Sequence, residues 1–322
     1  MVSASQSMSG MNLGKFIARY GIVISFVLLF VVLSLASPNF LSTNNLLNVL
    51  RQVSMNGVLA VGMTFVILTA GIDLSIGSLL ALAGAVAASL VTGADAFNPL
   101  VAVAAGVATG ALCGAINGGL IAYFKVPAFV ATLGMLSVAR GATLLYSGGR
   151  PIPNLSLEFR WLGQGLVLGI PVPVIIFAIV FAVAAIVLRY SIYGRRVYAV
   201  GGNPRSAKTS GINTTGIIFS VYVIMGALAG LAGVMLTART TSALPQAGIG
   251  YELDAIAAVV IGGTSLTGGI GRIGYTLVGV LIIGMISNGL DLMGVSSYYQ
   301  QIIKGSIIVL AVLIDRSRAG RE

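Results

Sequence analysis

An all-α, polytopic bundle of membrane helices is the fold class this sequence predicts, and three observations predict it. Charged residues fill only 8% of the 322 positions, where a soluble domain carries roughly 25% because it must face water on every side. Hydrophobic residues fill 57%, with a mean hydropathy of +1.02. These residues fall into ten apolar runs separated by short polar connections. One transmembrane domain over residues 20–315 follows, with an N-terminal tail 1–19 and a C-terminal tail 316–322. Its first partner is the lipid bilayer.

The first run, Tyr20–Ala36, follows Lys15 and Arg19. Ser34-Leu35-Ala36 has the small residues of a cleavage site, but the polar lead and the later spans read as a retained signal anchor. Pro38, Asn39, Ser42 and Asn44 then form a loop or interfacial segment. The next four runs are Met55–Ala70, Ser78–Val91, Leu100–Tyr123 and Ala128–Tyr146. An outer loop holding Arg150, Pro173 and an interfacial Trp161 leads to Val174–Tyr190, Gly216–Thr237, Leu253–Gly263, Tyr275–Leu290 and Tyr298–Ile314. A helix needs about 20 residues to cross a ~30 Å hydrocarbon core. The second, third and eighth runs are shorter and interrupted by glycine. They are predicted to be broken or tilted helices, which lipid tolerates only where the freed backbone is buried in protein or lines a cavity. The 43 glycines also suit close helix packing.

Orientation follows from charge. If the N-terminus is cytoplasmic and all ten runs cross, Lys15, Arg19, Lys125, Arg189, Arg195, Arg196, Arg205, Lys208, Arg272, Arg316, Arg318 and Arg321 lie inside. Arg51, Arg150, Arg160 and Arg239 lie outside, so twelve cations oppose four. This is the positive-inside pattern, with both termini cytoplasmic. The net charge of +10 thus sits in membrane loops and does not point to nucleic acid. Two internal echoes are visible: Ala70–Gly77 with Gly262–Gly269, 192 residues apart, and Ile116-Asn117-Gly118 with Ser287-Asn288-Gly289, about 170 apart. The topology puts the first pair on one side and the second on opposite sides, so a single duplication cannot hold both.

The chain has no histidine, which excludes histidine-based zinc sites, proton relays and Ser-His-Asp triads. A single cysteine, Cys113, lies among small residues and reads as packing. There is no G-x-x-x-x-G-K-[ST] run and no metal-ligand cluster, so any ATP must be bound elsewhere and no cofactor is expected on this chain. Gly269-Ile270-Gly271-Arg272-Ile273-Gly274 is a literal G-x-G-x-x-G, but it is flanked by membrane helices rather than a βαβ unit. Its glycines are expected to turn the chain tightly or approach another backbone.

Within the basic loop 190–212, Asn203 is a good N-cap, Pro204 suits the first helical position and Gly211 a C′ position. A short helix over Pro204–Ser210 is predicted, marginal alone and reasonable when docked on a partner; an ordinary topology-fixing loop is the alternative. Asp73 lies between two apolar runs, where it either caps the following helix or serves at a gate. Arg140 and Lys304 fall about six residues, or ~9 Å, inside their spans. Snorkelling to the interface accounts for them, with pairing inside the bundle or lining a solute path as the alternatives. Glu252 and Asp254 read first as a charged helix N-terminus and second as a gate.

Several long runs resemble one family. Ala60–Ser78, reading AVGMTFVILTAGIDLSIGS, is similar to the bacterial ribose-type ABC permeases. So are Ala128–Leu133, Ala199–Asn203, Ser210-Gly211-Ile212 and Gly250–Leu266, and the resemblance spans about Tyr20 to Asp315. Gly294–Gln300 matches the ribose branch, although arabinose, xylose and galactose members share the long motifs. The resemblance implies a homodimeric permease of the bacterial inner membrane. It would be served by a periplasmic sugar-binding protein and driven by a partner ATPase that uses ATP and Mg²⁺. It puts the docking role on Gly202, Asn203, Pro204, Ala207, Ser210 and Gly211. Candidate gate or path residues are Asn56, Asp73, Ser75, Glu252, Asp254, Thr264 and Ser265. The chain itself is then not an enzyme. The alternatives are an ion-coupled secondary sugar transporter and an ABC permease for another pentose or hexose.

Overall fold

The computed structural model describes residues 13–93 and 96–319, and the backbone alone over 13–20 and at 308, 311, 312 and 314–319. Most of the predicted N-terminal tail, and residues 320–322, lie outside the described residues. Helices dominate: α1 Leu13–Ala36, α2 Thr43–Leu68, α3 Ile76–Leu90, α4 Pro99–Ala122, α5 Ala128–Ser147, α6 Leu157–Gln164, α7 Val172–Tyr190, α8 Ile192–Gly202, α9 Pro204–Thr209, α10 Thr214–Thr240, α11 Tyr251–Ile261, α12 Ile273–Leu292 and α13 Ser297–Ala319. All ten predicted runs are helical. Among the described residues, α2, α4, α5, α7, α10 and α12 are long and apolar enough to cross a membrane, with shorter apolar helices at Gly21–Ala36 and α3. The chain is a multi-pass membrane protein.

The structure corrects the reading in three places. The second run is not short: α2 is an unbroken 26-residue helix capped by Ser42, whose hydroxyl accepts from the Asn45 amide at 3.3 Å. Its first turns are polar (Asn44, Asn45, Asn48, Arg51, Gln52), so hydropathy hid them and Asn44 was read as loop. Between α6 and α7, Leu166–Val167 and Ile170–Pro171 form a two-stranded hairpin, β1 and β2, around a left-handed Leu168-Gly169 turn. Third, half of the expected basic loop 190–212 is helical, as α8. Ser191 caps it by accepting from the Gly194 amide at 3.0 Å, and Val197 and Val200, three apart, are buried. The third and eighth runs are short, as expected, with 15 and 11 helical residues.

The bundle is built twice. Helices α2 and α10 begin at residues 43 and 214, α3 and α11 at 76 and 251, α4 and α12 at 99 and 273, and α5 and α13 at 128 and 297, offsets of about 170 throughout. The Asn117/Asn288 echo belongs to this repeat, and the 192-residue echo does not. The repeat is inverted. Helix α2 ends where the Leu68 carbonyl meets the Gly269 amide (2.9 Å) beside α8, whereas α10 ends on the opposite face, where Gln164 donates to the Arg239 carbonyl (2.9 Å). Inverted repeats of this kind recur among transporters.

The closest helix contact is α4 on α10. A Cβ at Gly110 would overlap the Gly226 carbonyl, one at Gly114 the Tyr222 carbonyl, and one at Gly230 the Gly106 carbonyl. Backbone meets backbone, which supplies the dispersion contact that helices in lipid rely on. Gly110→Leu should therefore cost about 3 kcal/mol or more, since no flexible side chain can yield. Thermal unfolding in detergent should show the loss, while Gly141→Leu, whose Cβ meets nothing within 4 Å, should leave the midpoint unchanged.

Candidate functional site

The polar residues lie at two breaks in the helices. Helix α2 stops at Leu68, and residues 69–75 climb back into the bundle before α3 starts. In the second half α10 stops at Thr240, and residues 241–250 descend before α11 starts. The two restarts meet: a Cβ at Gly77 would overlap the Gly248 carbonyl, and one at Gly248 the Gly77 carbonyl. No side chain fits there.

Around the first break, Asp73 and Ser75 are fully buried. Asp73 Oδ1 accepts from the Ser75 amide at 2.9 Å and its hydroxyl at 2.6 Å, and Asn117 Nδ2 donates to Ser75 Oγ at 3.0 Å. Asp73 therefore braces the residue before α3 rather than capping an amide of the helix itself. The Tyr222 hydroxyl satisfies the Ile72 carbonyl at 3.3 Å. Around the second break, Arg140 donates to the carbonyls of Pro245 (2.7 Å) and Ala247 (3.0 Å). Glu252 accepts from the Gly250 amide at 3.2 Å, and its carboxylate borders Gly77. Asp254 is buried and pairs with Lys304 at 2.9 Å. Pairing inside the bundle replaces snorkelling for both cations, because each head group is held by a protein partner. Arg140 replaces missing backbone donors, and Lys304 neutralises a buried carboxylate.

The predicted path residues fall into separate groups. The α3 start that Asp73 and Ser75 brace meets the Glu252 carboxylate at the Gly77/Gly248 contact, and Asp254 follows two residues on. Asn56 is buried on α2 and shares no hydrogen bond with them. Thr264 and Ser265 lie in the α11–α12 connection; Thr264 packs against Gly271, and the Ser265 amide donates to the Ile270 carbonyl at 2.9 Å. Asn56 Oδ1, Asp73 Oδ2, Asn117 Oδ1 and Thr264 Oγ1 are buried with no hydrogen-bond partner among the described residues. Such atoms are uncommon and call for a reason. Asn117, Tyr222, Arg140 and Lys304 complete these clusters. The sequence offered no spacing signal for the first two, since their partners are 42 and 150 residues away.

The predicted docking helix is present within one residue of its expected end. Asn203 caps α9 by accepting from the Ser206 amide at 3.0 Å, Pro204 opens it, and Gly211 (φ +80°) closes it while Ile212 donates to the Ala207 carbonyl at 3.0 Å. Only Ala207 is buried; Gly202, Asn203, Pro204, Ser210 and Gly211 are exposed, as are Arg205 and Lys208. The helix is a basic knob resting on one methyl group. Its mount is rigid. Tyr193 bonds Ser220 of α10 at 2.7 Å, and Tyr198 donates to the Gly271 carbonyl at 3.1 Å. Burial pushes the Tyr198 phenol up, only partly offset by nearby Arg272, so it stays a neutral donor. At the end of α8, a Cβ on Gly201 would overlap the Leu68 carbonyl, which the Gly269 amide also engages; Gly268 and Gly269 take positive φ beside Gly201 and Gly202. The G-x-G-x-x-G run thus makes the close backbone approach expected of it.

Broken helices, an inverted repeat and buried ionisable side chains at the breaks are features that recur together in solute transporters. A family model described as branched-chain amino acid transport system / permease component matches residues 45–312. The chain is 53% identical over 300 residues to the ribose import permease protein RbsC of Escherichia coli (strain K12), covering 92% of this chain and 93% of the relative. It is 49% identical over 304 residues to RbsC of Bacillus subtilis (strain 168), covering 94% of each. It is 42% identical over 307 residues to the D-allose transport system permease protein AlsC of E. coli (strain K12), covering 95% of this chain and 94% of the relative. No solved structure matches. The chain belongs to this permease family, among its ribose-type ABC members.

The Asp254–Lys304 pair yields a prediction. Lys304→Met strands a buried carboxylate and should cost roughly 3–5 kcal/mol, whereas Lys304→Met with Asp254→Leu should recover most of it. Unfolding midpoints of the purified variants check this; equal losses in the single and double variants would refute it.

Proposed function

We propose that this chain is the permease subunit of an ABC importer that moves ribose across the bacterial inner membrane. The single observation that carries the reading is α9: an exposed, capped, cationic knob whose base, α8, locks through Gly201 onto the carbonyl that ends α2 and onto the α11–α12 connection. A partner that grips α9 therefore holds both halves of the bundle. The ribose import permeases among the relatives support the sugar, and D-allose, a hexose, is the neighbouring specificity. The face bearing α8 and α9 also carries Lys125, Arg189, Arg195, Arg196, Arg205, Lys208 and Arg272, which supports its being cytoplasmic. With α1, α12 and α13 each crossing, ten spans and cytoplasmic termini follow.

In this mechanism a partner ATPase, using ATP and Mg²⁺, moves α9 on loop 190–212. The push passes through α8 to Leu68 and Gly269 and tilts the breaks, parting α3 from the segment that precedes α11 at Gly77 and Gly248. A periplasmic sugar-binding protein delivers ribose to the far face, and a second copy of the chain completes a homodimer. Sugar hydroxyls supply the donors that Asn56, Asp73 and Asn117 lack. Shifting the permease from 1:99 to 99:1 between its two states takes about 5.5 kcal/mol of differential partner affinity. The ion-coupled alternative is not favoured by the relatives.

Reconstitution tests this. With ATPase and binding protein in liposomes, ribose uptake should require ATP; uptake by the chain alone, indifferent to ATP, would overturn the proposal. Asn203→Pro and Gly211→Val should leave the spans inserted and ATP hydrolysed but reduce uptake at least tenfold. Normal uptake by both would remove α9 from the mechanism.

A further inference from the structure

On the face that carries α8, a groove of about 850 Å³ opens between α1, α7, α8 and α12. Nothing in the transport reading uses it. Its walls are Val23, Phe181, Ala185, Leu188, Ile273 and Val278, and its mouth carries Arg189, Arg272, Tyr198 and Tyr275. Phe181 and Arg189 are eight residues apart on α7, so the apolar wall runs about 12 Å along the helix away from the cations. Neither arginine forms an ion pair among the described residues, and no acid with a described side chain lines the groove. Helix α12 starts here without a side-chain cap, and Gly274, exposed beside it, keeps the mouth open.

We propose that this groove is a binding site for an anionic phospholipid of the leaflet on that face, its phosphate held by Arg189 and Arg272 and an acyl chain laid along α7. The argument is charge and length together. Two guanidiniums with no ion pair among the described residues, Arg189 lying 5.3 Å from the Tyr190 ring centroid, select an anion, with the α12 N-terminus adding a smaller attraction. Free phosphate would leave the apolar wall bare, and a zwitterionic lipid would gain little from the cations. The site lies at the foot of α8, on the connection that Tyr198 ties to Gly271. Its occupant therefore braces the mount of α9 from the lipid side.

Native mass spectrometry of the full chain tests it, with phosphatidylglycerol and phosphatidylethanolamine of the same acyl chains as probes. Phosphatidylglycerol adducts should dominate. Arg189→Gln with Arg272→Gln should weaken them about 25-fold, at about fivefold per cation, while Arg195→Gln with Arg196→Gln should not. Gly274→Phe, whose Cβ meets nothing within 4 Å, should weaken adducts without changing charge; it carries the test if the double arginine variant fails to fold. Excess inorganic phosphate should not displace the lipid. Equal retention of the two lipids, displacement by phosphate, or no effect of Gly274→Phe would each overturn the proposal.

Discussion

Hydrocarbon offers no water to a bare peptide group, and the rest of this structure depends on how that constraint is met where the helices break. At residues 69–75 Tyr222 donates to the Ile72 carbonyl and Asp73 accepts from the Ser75 amide, and at 241–250 the replacement donors come from Arg140. Tyr222 and Arg140 are brought in from other helices, α10 and α5, so the breaks hold only while the bundle is assembled. The charge on Arg140 is tolerated for the same reason: it answers carbonyls that would otherwise be orphaned.

Close backbone packing does the second part of the work. Glycine at 110, 114, 226 and 230 lets α4 and α10 touch main chain to main chain, which makes that pair a stiff spine. Against it, the junctions at Gly77/Gly248 and Gly201/Leu68/Gly269 are contacts of helix ends with irregular segments. Regular hydrogen bonding is interrupted at these junctions and not along the spine. The buried polar atoms without partners lie beside these same irregular segments or on the helices that flank them.

Much of this was legible in the amino-acid order. Ten apolar runs gave ten helices, because lipid exposure demands long uninterrupted apolar surface. Asn203, Pro204 and Gly211 announced α9 through local capping chemistry, which needs no tertiary context. What was not legible was tertiary or amphipathic. The polar outer turns of α2 defeated a hydropathy reading, and α8 was hidden because only Val197 and Val200 mark its buried side amid basic and glycine residues. Arg140 and Lys304 looked like interfacial anchors because their true partners are 105 and 50 residues away. The inverted repeat, too, was masked by a stronger-looking echo at the wrong spacing.

The antiparallel doubling has a geometric corollary. When one fold unit occurs twice, upside down with respect to itself, exchanging the arrangements of the two copies turns a shape accessible from one compartment into a shape accessible from the other. No third conformation has to be encoded. A single asymmetry between the copies, read forwards and then backwards, is enough to carry a molecule through.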